Sequence, residues 1–149
     1  MLEADWEDPE VLERFIAAGV EAVAHATRLT ATEVWGNIGR EAPTDHGRLA
    51  GSFEMMQRTP LEWVIWTNVL YAIFVHDGTG IHGPIGEPIT PVSSSVLVFE
   101  YQGETVFARS VEGQHPNPFA DRAVRSAEDR ATEFMELAVA ATMEEHGVG

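Results

Sequence analysis

Four side chains of this sequence have the types needed to hold a divalent metal ion. His76 and Asp77 are adjacent, and His82 and His115 follow, so that three imidazoles and one carboxylate are available, all of which are zinc ligands in proteins. Such a set would suit a small metal-dependent hydrolase. The spacing, however, does not match His-Glu-x-x-His or another ligand motif, which favours histidines that cap or pack loops. We therefore predict no metal, no cofactor and no enzymatic activity.

Two further stretches resemble reactive motifs in composition only. The serines 93–95 lack the Gly-x-Ser-x-Gly elbow that exposes a nucleophile, so we interpret them as a polar entry to a strand. Residues 78–83 are rich in glycine but lack the Gly-Lys-Ser/Thr ending and the following helix of a phosphate-binding loop. Neither stretch predicts catalysis or nucleotide binding.

Length and charge limit the function classes. The 149 residues have the size of one ordinary domain, residues 1–149, and the absence of cysteine excludes disulfides and thiolate sites. The net charge is −15, and all nine basic residues are arginines that form no stripe, which argues against tight nucleic-acid binding. An acidic surface would instead repel DNA, as the wall of a DNA channel must. No run is apolar enough for a membrane span and the N-terminus is acidic, so we expect a protein made in the cytoplasm.

The elements that must position these residues begin with a long helix. Asp8 is a good N-cap and Pro9 suits the first helical position. An apolar stripe follows with mostly three- and four-residue steps. It consists of Leu12, Ile16, Val20, Val23, Thr27, Val34 and Ile38. We expect the helix to end near Gly36 or Gly39, with residues 30–32 as the place where it could break.

Two hairpins follow in the sequence. Residues 52–58 and 62–68 alternate with period two around Thr59-Pro60, and Trp63 and Trp66 fall on opposite faces, so both faces should be partly covered. Trp66 is therefore an interface candidate. Residues 96–101 and 105–111 form the second predicted hairpin.

An extended loop rich in glycine and proline separates the hairpins. Residues 70–75 are apolar and fit a short helix or a strand, whereas residues 81–91, here called the Gly/Pro loop, fit no regular structure. Ile81, Ile85 and Ile89 in this loop cannot all reach the core of the chain, so we predict that they contact a partner. His76 and Asp77 just before it are further interface candidates.

A strand-to-helix elbow is predicted at residues 113–119. Gly113 can adopt positive φ, Asn117 can cap a helix, and Pro118 fits its first position. We expect a helix from Pro118 to about His146, with Phe119 buried at its start. Its predicted buried stripe is Phe119, Ala123, Ala127, Arg130, Phe134, Leu137 and Ala141.

The order of elements is helix, hairpin, loop, hairpin, helix. This order predicts an α+β fold, in which an antiparallel sheet of about four strands, arranged as two hairpins, carries a long N-terminal and a C-terminal helix on one face. The Gly/Pro loop lies between the hairpins.

Three short blocks, in order over about residues 42–123, resemble the head-tail joining, or tail-completion, family of long-tailed bacteriophages. The first, residues 42–53, resembles the polar turn with Gly-Arg-Leu and Ser that enters the first strand of that family, here with Gly47 and Arg48. The second is similar to the Tyr-Ala…Val-Glu-x-Gly-Thr signature, and the third to the Gly-Gln…Asn-Pro-Phe…Ala ending. The matching residues of these two blocks are Tyr71, Ala72, Val75, Gly78 and Thr79, and then Gly113, Gln114, Asn117, Pro118, Phe119 and Ala123. One departure is His76, where the family often has Glu.

The resemblance implies a structural virion protein rather than an enzyme. It implies a homo-oligomeric ring, hexameric in such necks, at the head-tail junction, with tail-tube and head-connector proteins as partners and DNA passing through without tight binding. Residues 113–119 would then be a scaffold corner, and the Gly/Pro loop and the acidic ends would be candidate contacts. The alternatives from the residues alone are the small metal-dependent hydrolase and a cellular protein-binding module, and gene context would separate the latter from a neck protein.

Overall fold

The structure, a computed structural model, describes residues 7–44 and 48–147. The chain forms two compact units. The helical unit holds the residues up to Asn68 and those from Asp121 on, and the loop unit holds residues 69–120. The predicted α+β class is confirmed: a long N-terminal helix, four strands in two antiparallel hairpins, and a long C-terminal helix. Gly47 of the first resemblance block lies outside the described residues.

Helix α1 spans Pro9–Glu41 and begins where the sequence predicts. The carboxylate of Asp8 accepts a hydrogen bond from the N–H of Glu10 at 2.9 Å, which satisfies one of the unpaired donors of the first turn. The predicted break at residues 30–32 is wrong, and so is the earlier end at Gly36 or Gly39. Thr30 and Thr32 donate their hydroxyls to the carbonyls four residues back, at 2.9 and 2.8 Å, so these side chains are satisfied within a continuous helix.

The predicted stripe of α1 is buried only at its C-terminal end. Ile38 is buried, whereas Val20 is 57% exposed, and Leu12, Ile16 and Val23 are also exposed. The buried positions over the middle turns are alanines instead: Ala18, Ala22 and Ala26. The small side chains of α1, and not the large ones, are therefore the ones removed from solvent in this part of the helix.

Helix α3, Phe119–Glu145, runs antiparallel to α1. Arg122 near its start donates to Glu41 at the end of α1 at 2.8 Å, and His146 just beyond α3 contacts Glu21 early in α1 at 2.7 Å. The start of one helix therefore lies beside the end of the other. Between these contacts the amide of Asn37, which is buried, donates to a backbone carbonyl of α3 at 3.1 Å.

The predicted stripe of α3 is right in its first half and rotated in its second. Phe119, Ala123, Ala127 and Phe134 are buried as expected. Ala138 and Thr142 are then buried in place of Leu137 and Ala141, which are exposed, and Arg130 is exposed as well. After Phe134 the buried residues follow one another at steps of four, whereas the prediction continued with steps of three and four. The helix begins at Phe119, one residue after the predicted start.

Strands β1, Glu54–Thr59, and β2, Glu62–Trp66, form the first hairpin, which packs against α1. The indole N–H of Trp35 on α1 donates to the carbonyl of Phe53 at 2.7 Å. Trp63 is half-buried and Trp66 is 41% exposed, so both tryptophan faces are partly covered, as predicted.

The loop unit contains helix α2, Ala72–Asp77, a single 3-10 turn over Gly80–His82, and strands β3, Leu97–Tyr101, and β4, Glu104–Ala108. The hairpin turn Gln102-Gly103 has φ of 53° and 82°, the two positive values of a type I′ turn. Residues 109–111, predicted as strand, lie beyond β4. Within the described residues the two hairpins form two separate two-stranded sheets.

Candidate docking site in the loop unit

The two ends of the Gly/Pro loop are held by one segment, residues 111–114. The N–H of Ile81 donates to the carbonyl of Glu112 at 2.8 Å. At the other end, Ile89 and Val111 exchange two backbone hydrogen bonds, at 2.9 and 3.0 Å, as an isolated antiparallel bridge. Backbone groups make these bonds, so both ends of the loop are held independently of side-chain identity at these positions.

Two glycines make this close backbone contact sterically feasible. Gly80 and Gly113 have φ of 62° and 96°, in the left-handed region that glycine adopts without penalty. A Cβ at Gly80 would collide with the carbonyl of Glu112, and one at Gly113 would collide with the carbonyl of Thr79. The positive φ predicted for Gly113 is thus confirmed, and its cause is a close backbone approach as well as a turn.

The second and third resemblance blocks lie against each other. The N–H of Thr79 donates to the carbonyl of Gln114 at 2.9 Å, and the N–H of Asn117 donates to the carbonyl of Val75 at 3.0 Å. Phe119 is only 2% exposed, as predicted. The segment after α2 and the elbow before α3 therefore form one hydrogen-bonded corner.

The remaining residues of the resemblance blocks lie outside this hydrogen-bonded corner or at its edge. Tyr71 and Ala72 stand at the start of α2, and Pro118 immediately precedes α3. Arg48 lies in an exposed turn of the helical unit.

The histidines of the sequence-based metal hypothesis form two separate pairs. His76 Nδ1 lies 2.7 Å from Asp77 Oδ1, and the His76 ring meets the ring of Phe119 edge-on at 5.4 Å between centroids. His82 and His115 stack with centroids 3.6 Å apart and ring planes 30° apart. The lone pairs of stacked rings lie in nearly parallel planes and do not converge on one ion. Over residues 7–44 and 48–147, no three His, Asp or Glu side chains come together as a metal site.

The Gly/Pro loop encloses an apolar cleft, here called the loop cleft, with a volume of about 580 Å³. All of its lining residues belong to the loop unit. The apolar wall consists of Ile73, Phe74, Pro84, Ile85, Pro88 and Ile89. Asp77 and Glu87 are the charged residues that line it. Such a cleft has the size and character of a binding site, since ligand pockets are mostly apolar with a few polar groups.

The three predicted contact residues of the loop lie at the surface. Ile85 is 84% exposed, and Ile81 and Ile89 are exposed to a lesser degree. Trp66, the other predicted apolar contact, is exposed on β2 in the helical unit and does not line the loop cleft. Ser94 donates its hydroxyl to the carbonyl of Val96 at 2.6 Å, immediately before β3, and so occupies the expected strand entry.

Sequence reasoning missed the contribution of α2 to this site. Ile73 and Phe74 are exposed and line the cleft, and Leu70 just before α2 is exposed too. A signal was present, because consecutive apolar residues on a helix of six residues point to all sides and cannot all be buried. The signal was not usable from the sequence because residues 70–75 fit a strand as well as a helix.

Comparison with protein-family models, with curated proteins and with solved structures found no match to this chain. Among the described residues, no helix combines the length and apolarity that crossing a membrane requires.

Proposed function

We propose that this chain is a structural protein of a tailed phage particle and forms a ring at the head-tail junction. The ring, hexameric in such necks, completes the tail and joins it to the head connector while leaving a channel for DNA. It acts without catalysis, metal or cofactor, and it assembles in the host cytoplasm before it becomes part of the virion.

The observation that carries the proposal is the corner between α2 and α3. The second and third sequence blocks are about 35 residues apart, and a chance resemblance gives no reason for their residues to bond to each other. Yet Thr79 of the second block and Gln114 of the third are hydrogen-bonded neighbours, as are Val75 and Asn117. The shared residues of the second and third blocks therefore belong to one local structure, as expected if they serve a common fold.

The Gly/Pro loop supplies a suitable assembly surface. Both of its ends are fixed by backbone hydrogen bonds to residues 111–114, while Ile85 and its neighbours are exposed. A loop that is already ordered loses little conformational entropy when it binds. Exposed apolar side chains on such a loop are typical of a contact with another protein.

The charge of the chain fits a channel protein. A ring of copies that each carry −15 would repel the phosphate backbone and so let DNA pass without sticking. The acidic character by itself is also compatible with simple solubility, so it supports the proposal without carrying it.

The proposal is tested genetically. Genes for capsid, portal and tail-tube proteins should lie beside the gene for this chain. Deleting it from the phage genome should yield filled heads and separate tails that fail to join, and supplying the protein should restore infectious particles. Normal particles from the deletion strain, or a gene that lies among cellular genes, would refute the proposal.

A further inference from the structure

We propose that the loop cleft of one copy receives the tip of the β1–β2 hairpin of a second copy, with Arg58 and Leu61 as the inserted residues. This inference deepens the proposed function and rests on it, because it names the contact that would close the ring. The two surfaces lie on different units of the chain, so the contact is head-to-tail. Repetition of a head-to-tail contact gives a ring when the rotation closes.

The hairpin tip offers the right chemistry for the cleft. Leu61 lies in the turn between β1 and β2 and is 53% exposed, and Arg58 lies in β1 one residue before the strand ends. The guanidinium of Arg58 contacts Glu62 at 3.2 Å, but both side chains are more than half exposed, and exposed ion pairs of this kind are weak. Arg58 can therefore exchange this partner for another carboxylate at little cost.

The loop cleft offers the complementary surface. Its wall is apolar, and the charges that line it are the carboxylates of Asp77 and Glu87. Asp77 is oriented by His76 at 2.7 Å and its side chain is 41% exposed, so it can accept further hydrogen bonds. A leucine beside an arginine matches an apolar cleft with acidic residues in its lining, since arginine pairs with carboxylates in bidentate fashion.

A second copy is favoured over other occupants by the charges. Phosphate-bearing partners such as nucleic acid or an anionic lipid surface would be repelled by the two carboxylates, whereas the exposed guanidinium of Arg58 complements them. Within one chain both surfaces remain open, because Leu61 and Ile85 are each exposed. The chain thus carries an exposed arginine and leucine at the hairpin tip, and an open apolar cleft with two carboxylates in its lining.

The absence of cysteine from the chain permits a direct crosslinking test. Leu61→Cys and Ile85→Cys are made in separate full-length chains, which are mixed and oxidised. We expect a disulfide dimer in the mixture and little in either chain alone. The matched control is Leu61→Cys mixed with Val98→Cys, which places the second thiol on an exposed apolar position of the loop unit outside the cleft. Equal crosslinking in the control mixture would overturn the inference.

Charge reversal tests the ionic part of the contact. Arg58→Glu should weaken association about tenfold or more, because it places like charges together. Combining it with Glu87→Arg should recover most of the loss. Arg109→Glu, which changes the net charge equally at an exposed position outside the cleft lining, should have little effect. Melting temperatures of all variants should match that of the wild type, and if Arg58→Glu associates normally the inference fails.

The two proposals fail in different ways. Native mass spectrometry of the wild-type chain reports rings whatever contact builds them. If rings form and the Leu61–Ile85 disulfide does not, another surface closes the ring, and the inference is wrong while the proposed function stands. If the mixed chains crosslink specifically but only dimers or open polymers exist, the contact is supported and the ring is refuted. A wild-type chain that neither associates nor crosslinks would refute both.

Discussion

Thr79 and Gln114 bind each other twice. The N–H of Thr79 donates to the carbonyl of Gln114, and the N–H of Gln114 donates to the hydroxyl of Thr79, both at 2.9 Å. This reciprocal pair joins the segment after α2 to the elbow before α3. It therefore fixes the position at which the Gly/Pro loop begins, two residues after Thr79.

The close approach beside this pair makes Gly113 hard to replace. Gly113→Ala should destabilise the fold by about 3 kcal/mol or more, because it adds left-handed strain and a collision with the carbonyl of Thr79. Gly86→Ala is the matched control, since Gly86 also has positive φ, 72°, but its Cβ would lie in open space. Its cost should be only about 1–2 kcal/mol. Chemical denaturation measures both, and equal losses would show that residues 79 and 113 do not touch.

The buried ring at the start of α3 should matter as a core residue. Phe119→Ala should cost about 3–5 kcal/mol, the usual loss when a buried aromatic side chain is removed. Phe107→Ala serves as the control, because Phe107 is 68% exposed on β4. Its loss should stay below about 1 kcal/mol. A loss of that size at Phe119 would mean that the ring is exposed and the elbow misplaced.

Which face of α1 is buried can be tested with one substitution that enlarges a side chain and one that shortens a side chain. Ala22 is 4% exposed, so Ala22→Leu should overpack the helical unit and cost about 1–3 kcal/mol. Val20 faces solvent, so Val20→Ala should change the free energy of unfolding by no more than about 0.5 kcal/mol. If thermal melts show a larger loss of stability for Val20→Ala than for Ala22→Leu, the buried stripe is the one that the sequence predicted and not the alanine positions.

The Gly/Pro loop should act in assembly and not in folding. Replacing Ile81, Ile85 and Ile89 by serine should leave circular dichroism and melting close to wild type, because backbone bonds hold the loop. The same variant should fail to form rings or enter particles. Serine at Val124 and Leu137, exposed apolar positions of α3, is the control and should leave assembly unchanged. If the triple variant unfolds, or if it enters particles at the normal yield, the Gly/Pro loop is not the assembly contact.

Local signals in the sequence predicted the start of α1 and the position of the elbow. Asp8 and Pro9 mark the start of α1, and Gly113 marks the elbow, because capping and positive φ depend on residues next to each other in the chain. The rotation of α1 could not be found this way. Ranking side chains by hydrophobicity selects Leu, Ile and Val, whereas the folded chain buries Ala18, Ala22 and Ala26.

The candidate site was predictable in part. Ile81, Ile85 and Ile89 were identifiable because an aperiodic loop cannot bury them all. The loop cleft itself was not predictable, because it depends on backbone bonds between residues far apart in the sequence, such as Ile81 with Glu112 and Ile89 with Val111. Apart from the glycines, no residue type marks such bonds in the sequence. The pairing of histidines into His76–Asp77 and His82–His115 likewise depends on the folded loops.

The central claim, that the chain closes into a ring, is tested most directly by native mass spectrometry of the purified full-length protein, with negative-stain electron microscopy of the same sample. The account predicts a closed species, most simply six times the chain mass of 16.4 kDa, that appears in images as a ring with an open centre. A chain that remains monomeric at every concentration, both free and in the presence of isolated heads and tails, would contradict it.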